Sequence, residues 1–371
     1  MSVRLLRLGM SAAGTTAAEA LDLTSAEILA TTEAGPSTLA NANCPITSLI
    51  GICHDWSGNL YACDNAQHCI VKIEEGGRYT WVAGSKTGVS GNNGTLNDVP
   101  AATARFNAPT GIACDRYGTL YVADTSNQQI RVIKNGKVSV LAGSAGLTGL
   151  VDGSGETARF NTPTDVAVDR AGVVYVADKN NHAIRKITSN GTVLTIAGNG
   201  SAGNKVNFKA TTQYAEFSSP TVLTTDLSGN IYVVDTGNNM IKKITPNGWI
   251  YRFSGSGNTG VSLGSGTEPM FNCSYTSIQD IEADQSGNIY LVDLKNPARS
   301  RILRLDYNGK PSEVAEFNTY EVYGPYCLTV TPAQTIFVGI IYDDGGYSSS
   351  SSSSTSYVEN WSSSSSSSSH R

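Results

Sequence analysis

APTGIACDRYGTLYVADTSNQQIRVI, residues 108–133, decides the fold, because the chain repeats this pattern in five full copies. The others are SLIGICHDWSGNLYACDNAQHCIVKI from Ser48, TPTDVAVDRAGVVYVADKNNHAIRKI from Thr162, SPTVLTTDLSGNIYVVDTGNNMIKKI from Ser219 and SIQDIEADQSGNIYLVDLKNPARSRILRL from Ser277. Each carries an Asp, a Gly three residues on, a Tyr and a second Asp. The first aspartates, Asp55, Asp115, Asp169, Asp226 and Asp284, recur every 54 to 60 residues, a period that marks a repeat architecture.

Each copy reads as four short strands, a to d. In residues 108–143 these are GIACD, LYVAD, IRVI and VSVLAG. The Asp-x-x-Gly between a and b has the Asp and Gly that a type I turn favours at its first and fourth positions. Asn-Gly between c and d (Asn135-Gly136, Asn190-Gly191, Asn247-Gly248, Asn308-Gly309) is a strong hairpin signal. One such sheet has apolar residues on both faces and open edges, so it is not stable alone. Stacking the sheets radially buries both faces and gives an all-β propeller of four-stranded antiparallel blades. A degraded sixth copy, PYCLTVTPAQTIFVGI at 325–340, keeps Phe337 at the Tyr position and has Thr331 and Ile340 in place of the aspartates. Six blades therefore fill residues 45–342, with an N-terminal arm at 1–44 and a Ser-rich tail at 343–371 whose composition predicts disorder. The sixth copy lacks its outer strands. An N-terminal segment, from VRLLRL (3–8) or AEILATT (26–32), is expected to supply them in preference to TSYVENW (355–361).

The copies ARFNAPTGIACDRYGTLYVADTSNQQIRVI (104–133) and ARFNTPTDVAVDRAGVVYVADKNNHAIRKI (158–187) resemble the NHL repeat. The resemblance covers about residues 45–340, is strongest in the second and third copies, and departs from the pattern at KNPARS in the fifth. It implies a six-bladed β-propeller. NHL propellers include peptide-amidating lyases, RNA- or protein-binding modules and extracellular scaffolds, so the resemblance fixes a fold and leaves the function open.

Only 15% of the 371 residues are charged, the net charge is -5, and 40% are apolar. No general attraction to phosphate backbones follows, and nucleic acid is disfavoured as a partner. Seven cysteines lack metal-ligand spacing. Cys53 and Cys63 fall where the second copy has Ala113 and Ala123, which points to buried thiols in preference to local disulfides. Arg7 interrupts the early apolar run, so no secretory signal is recognisable, and no run of 18 apolar residues predicts a membrane span.

Function is sought where the copies differ. Strand directions put the long d to a loops and the b to c turns on one face with the start of strand a, and variable loops on a rigid scaffold are where binding lives. Four residues before the first Asp the copies read Gly51, Gly111, Asp165, Val222, Asp280 and Cys327, and two residues later Cys53, Ala113, Ala167, Thr224, Glu282 and Thr329. Asp165, Asp280 and Glu282 thus break a small or apolar pattern near a channel mouth, where Ca2+ or Mg2+ could draw carboxylates together. The favoured alternative is that they bond loop amides or solvent, with no cofactor. His68 and His182 share one register and could form half of a metal site on the loop face. The equivalent turns carry Gln128, Asn239 and Pro297, so a third histidine is lacking and exposed turn residues are the better reading. The recurring aspartates are read as turn acceptors. Arg131, Arg185 and Lys242 are read as a solvated face or as ion pairs between blades. Sequons at Asn93, Asn190, Asn199, Asn272 and Asn360 are glycosylation sites only if the protein is eukaryotic and secreted.

These features predict a non-enzymatic structural or binding propeller, working with protein partners or copies of itself through its loop face and terminal segments. The expected setting is an extracellular surface or virion assembly of phage tail or capsid decoration type. The alternative is a divalent-metal-dependent lyase or lactone or ester hydrolase with its site at the channel mouth.

Overall fold

The computed structural model describes residues 2–8, 27–31, 48–74, 79–84, 98–205, 208–209, 215–257, 277–296, 299–318 and 322–342. They form six antiparallel sheets. Blade 1 runs Leu49–His54, Leu60–Asp64, Cys69–Ile73 and Tyr79–Gly84 in strand order. Blade 3, the most regular, runs Pro163–Val168, Val174–Asp178, Ala183–Ile187 and Thr192–Ala197. The first strand of each blade contacts the first strand of the next, from 1 through 6 and back to 1, so these strands encircle a central axis. The chain is a six-bladed β-propeller.

The predicted turns explain the regularity. At Asp115 the carbonyl takes the Gly118 N–H at 3.0 Å, and the carboxylate takes the N–H groups of Tyr117 and Thr119 at 2.8 and 2.9 Å. The Tyr121 hydroxyl reaches the same carboxylate at 3.3 Å, which ties strand b to the turn. Asp55, Asp169 and Asp226 repeat this set. The first aspartates are therefore structural, as their recurrence implied.

The sixth blade is assembled from both halves of the sequence. Val322–Val330 and Ile336–Tyr342 supply its inner strands, Ser2–Leu8 pairs antiparallel with Ile336–Tyr342, and Glu27–Thr31 pairs with Ser2–Leu8. Both candidate N-terminal segments are used, one as the third strand and one as the fourth. Blades 2, 3 and 4 also carry a two-residue fifth strand, Val99–Pro100, Gly153–Ser154 and Phe208–Lys209, which the preceding loop lays along strand d. The four-strand repeat pattern does not predict this fifth strand, which covers part of an outer edge that would otherwise show unpaired backbone groups.

Six hydrophobic clusters hold the ring, each packing residues of two adjoining blades. Leu8, from the N-terminal strand, lies in the cluster between blades 5 and 6 with Tyr290 and Leu328. The apolar residues of strands a and b thus pack blade against blade. Among the described residues no helix is long and apolar enough to cross a membrane.

Candidate functional site: an acid-lined axial cavity

The second aspartate of each copy does more than cap a turn. Asp178 is fully buried, and its Oδ1 accepts the Asn161 N–H at 2.7 Å, which anchors the chain entering the blade. Its Oδ2 accepts from Asn181 Nδ2 at 2.8 Å and Arg185 Nη1 at 2.7 Å. The guanidinium, also fully buried, lies 5.1 Å from the Phe160 ring centre and donates to the Arg159 carbonyl at 2.9 Å. Asp124 with Arg131 and Phe106, and Asp235 with Lys242 and Phe217, repeat the arrangement, and Asp293 pairs with Arg301. These bases are therefore neither a solvated stripe nor links between blades. Each neutralises a buried carboxylate of its own blade, which is how a protein tolerates a charge out of water.

His68 and His182 end the turns after strand b in left-handed backbone, with φ of 55° and 49°. Each Nδ1 accepts a backbone N–H from the next blade, from Ala108 and from Ser219, both at 2.9 Å. Gln128 does the same with its Oε1 toward Thr162 at 2.6 Å. The two histidines staple the seams between blades 1 and 2 and between 3 and 4, and they do not come together. They are half-buried where fully exposed turn residues were expected.

Asp165, Asp280 and Glu282 do come together, on one axial cavity of about 170 Å³. Asp165 Oδ2 accepts the Leu223 N–H of blade 4 at 2.9 Å, and Asp280 Oδ2 accepts the Leu328 N–H of blade 6 at 2.8 Å. Asp280 Oδ1 takes the Ile281 N–H at 2.8 Å. Glu282 accepts from the buried Thr224 hydroxyl, which itself takes the Ala283 N–H at 3.3 Å. The donors are backbone N–H groups of the blades and a hydroxyl, where loop amides or solvent had been the favoured expectation. Burial pushes the Asp165 carboxyl up to about 7. Burial and the Asp165 charge push Glu282 up to about 8, and Asp280 is raised by burial and by both neighbours.

Among the described residues the cavity extends from the starts of the a strands, at Gly51, Asp165 and Asp280, toward the other face. Its described lining reaches Trp56, Leu227, Gln285 and Pro332, in the a to b turns, and includes no residue of the b to c turns or the long loops. At the loop-face end, Thr110 Oγ1 donates to the Thr164 carbonyl at 2.5 Å and Thr164 Oγ1 to the Thr221 carbonyl at 2.7 Å, linking neighbouring blades. The acids thus belong to a channel that reaches the face opposite the long loops. The same cavity holds Cys53, expected as a buried thiol, and two residues that the sequence did not single out, His54, whose Nδ1 lies 2.8 Å from Thr329 Oγ1, and the free thiol Cys114. Trp56 and Leu227 carried a readable signal, since each is a large apolar side chain in the solvent-facing half of an Asp-x-x-Gly turn.

Among the described residues no three His, Cys, Asp or Glu side chains gather as a cation would need. The carboxylate oxygens that accept from Leu223, Ile281 and Leu328 are directed at backbone, so the donor set does not fit the Ca2+ or Mg2+ considered at the channel mouth. Cys63 and Cys327 are buried free thiols, as expected. Asn190 and Asn199 are exposed and hold their own turns, with Oδ1 accepting from Thr192 N and Ser201 N at 3.2 and 2.9 Å. Asn93, Asn272, Asn360 and the tail 343–371 lie outside the described residues.

Known proteins agree with this architecture. The NHL repeat family pattern matches residues 160–187, the third copy. NHL repeat-containing protein 2 from Gallus gallus is 31% identical over 188 residues, covering 45% of this chain and 26% of that protein. The chain thus spans about a quarter of that relative's length. Teneurin-4 from Homo sapiens is 27% identical over 224 residues, 55% of this chain and 7% of its own length. A gluconolactonase from Xanthomonas campestris superposes with a TM-score of 0.51 at 13% identity, covering 79% of this chain and 85% of that one, a likeness of fold alone. With the repeat matched in its third copy, recurring in the others and closed into a ring of six blades, the chain belongs among the NHL-repeat β-propellers.

Proposed function

We propose that the chain is a non-enzymatic binding propeller, a subunit of an extracellular or virion surface assembly that works through protein partners or copies of itself. The observation that supports this most is how its unusual acids are used. Asp165 and Asp280 accept backbone N–H groups from the next blade, and Glu282 accepts a hydroxyl from the preceding one. These groups tie blades together, and a hydrolytic site needs a nucleophile or metal-bound water held free for substrate.

Immunogold labelling of intact particles or cells with an antibody to the propeller tests the setting. Label on the outer surface is expected, and label confined to the interior would count against it. Metal analysis of the purified protein tests the enzymatic alternative. One divalent ion retained per chain, with lactone or ester hydrolysis lost in Asp165→Ala, would replace the binding reading.

A further inference from the structure

The face that carries the a to b and c to d turns exposes several large apolar side chains. Trp56, Tyr117 and Leu227 stand in a to b turns, Tyr307 stands in a c to d turn, and Trp249 directly follows another. Their exposures are 55%, 75%, 50%, 75% and 52%. Polar residues suit such turns, so large apolar side chains exposed there call for a reason. Trp56 and Leu227 also line the axial cavity, so the acid-lined channel ends in these two apolar side chains at this face.

The channel's charge is one-sided. Its described lining holds Asp165, Asp280, Glu282 and Asp284 and no Lys or Arg. Asp284 is occupied by its own turn, accepting from Ser286 N and Asn288 N. In blades 2 to 5 the second aspartate of the copy has a base against it, Arg131 on Asp124, Arg185 on Asp178, Lys242 on Asp235 and Arg301 on Asp293. Around the axis it places none among the described residues.

We propose that this face docks a polypeptide that inserts a lysine side chain into the channel, with apolar residues beside the lysine resting on Trp56 and Leu227. This rests on the binding-propeller reading and names the partner's chemistry. A lysine fits the channel in order of depth. Its methylene stem meets the Trp56 ring and Leu227 at the mouth, and its ammonium donates to Glu282, the acid that stands nearest the a to b turns along its strand. The cavity, at about 170 Å³, has room for one long side chain and not for a helix or a folded loop. The ammonium also supplies the missing counter-charge, favouring the ionised carboxylates that burial disfavours in the empty channel.

Calorimetry with the full chain and capped Phe-Lys-Phe peptide, against Phe-norleucine-Phe and butylammonium, tests this. The lysine peptide is expected to bind at least tenfold more tightly than either comparison ligand. Glu282→Gln and Trp56→Ala should each weaken it at least fivefold, and Trp56 is an exposed turn residue whose replacement leaves the ring intact. Equal binding of the norleucine peptide, no binding of the lysine peptide at millimolar concentration, or indifference to Trp56→Ala would overturn the proposal. Butylammonium binding as tightly as the peptide would overturn the polypeptide partner. If the lysine preference fails while surface labelling persists, this site alone falls. If labelling fails as well, the binding-propeller reading falls with it.

Discussion

A β-carbon added to Gly111 would lie 2.3 Å from Asp165 Oδ1 and 2.5 Å from Asp165 Cα, so the two residues share one seam on condition that the first has no side chain. Gly111→Ala is expected to push blade 2 from blade 3 and to cost about 1–3 kcal/mol in urea unfolding. Glu282 sets a different condition, on pH. Its carboxyl is held up to about 8, so between about pH 4.5 and 8 the folded chain keeps a proton that the unfolded chain releases. Its contribution to stability is therefore full in acid and lost as pH rises through 8. Glu282→Gln cannot ionise, so its stability relative to the parent should rise between pH 5 and pH 8, on the order of 1–2 kcal/mol after discounting for the cavity's open side. Urea melts at the two pH values measure it, and a constant difference between the proteins would contradict the assignment.

At the scale of elements, the seams between blades are held by interchangeable acceptors. His68 accepts the Ala108 N–H as a neutral ring, and burial lowers its pKa against an upward pull from Asp64. Its stabilisation is present above about pH 6.5 and lost as pH falls, because the unfolded histidine takes up a proton that the staple excludes. His68→Gln copies the solution at Gln128 and cannot titrate. It should match the parent at pH 7.5 and exceed it at pH 5.5 by no more than about 0.5 kcal/mol once solvent screening of the partly exposed ring is discounted, read from denaturant midpoints. Strands and turns were legible in the sequence because alternation and Asp-x-x-Gly are local signals. The buried bases were not, since alternation does not say which side of a strand meets a neighbour. Their signal was a spacing. Phe106 and Arg131, Phe160 and Arg185, and Phe217 and Lys242 are each 25 residues apart, and the base follows its aspartate by seven. The acids were found as departures from a repeat, but the end at which their cavity opens depends on how six strands pack around an axis, which no single copy encodes.

At the scale of the whole molecule, the ring depends on a strand drawn from the opposite end of the sequence. Removing residues 1–8 takes away the third strand of blade 6, exposes the edge of Ile336–Tyr342 and deletes Leu8 from the cluster between blades 5 and 6. The truncated chain is expected to melt on the order of 10 °C lower by calorimetry, or to aggregate through the exposed edge. Unchanged melting would mean that the ring does not rely on this closure. The same pairing also orders events in time. Ser2–Leu8 finds its partner only after Ile336–Tyr342 has been made, so at ribosomal speeds of about 5–20 residues per second the first strand waits roughly 15–65 s. During that interval five blades can fold on a ring that is still open. The closing step is then a meeting between two strands made far apart in time, and any factor that occupies Ser2–Leu8 during synthesis would hold the propeller unclosed.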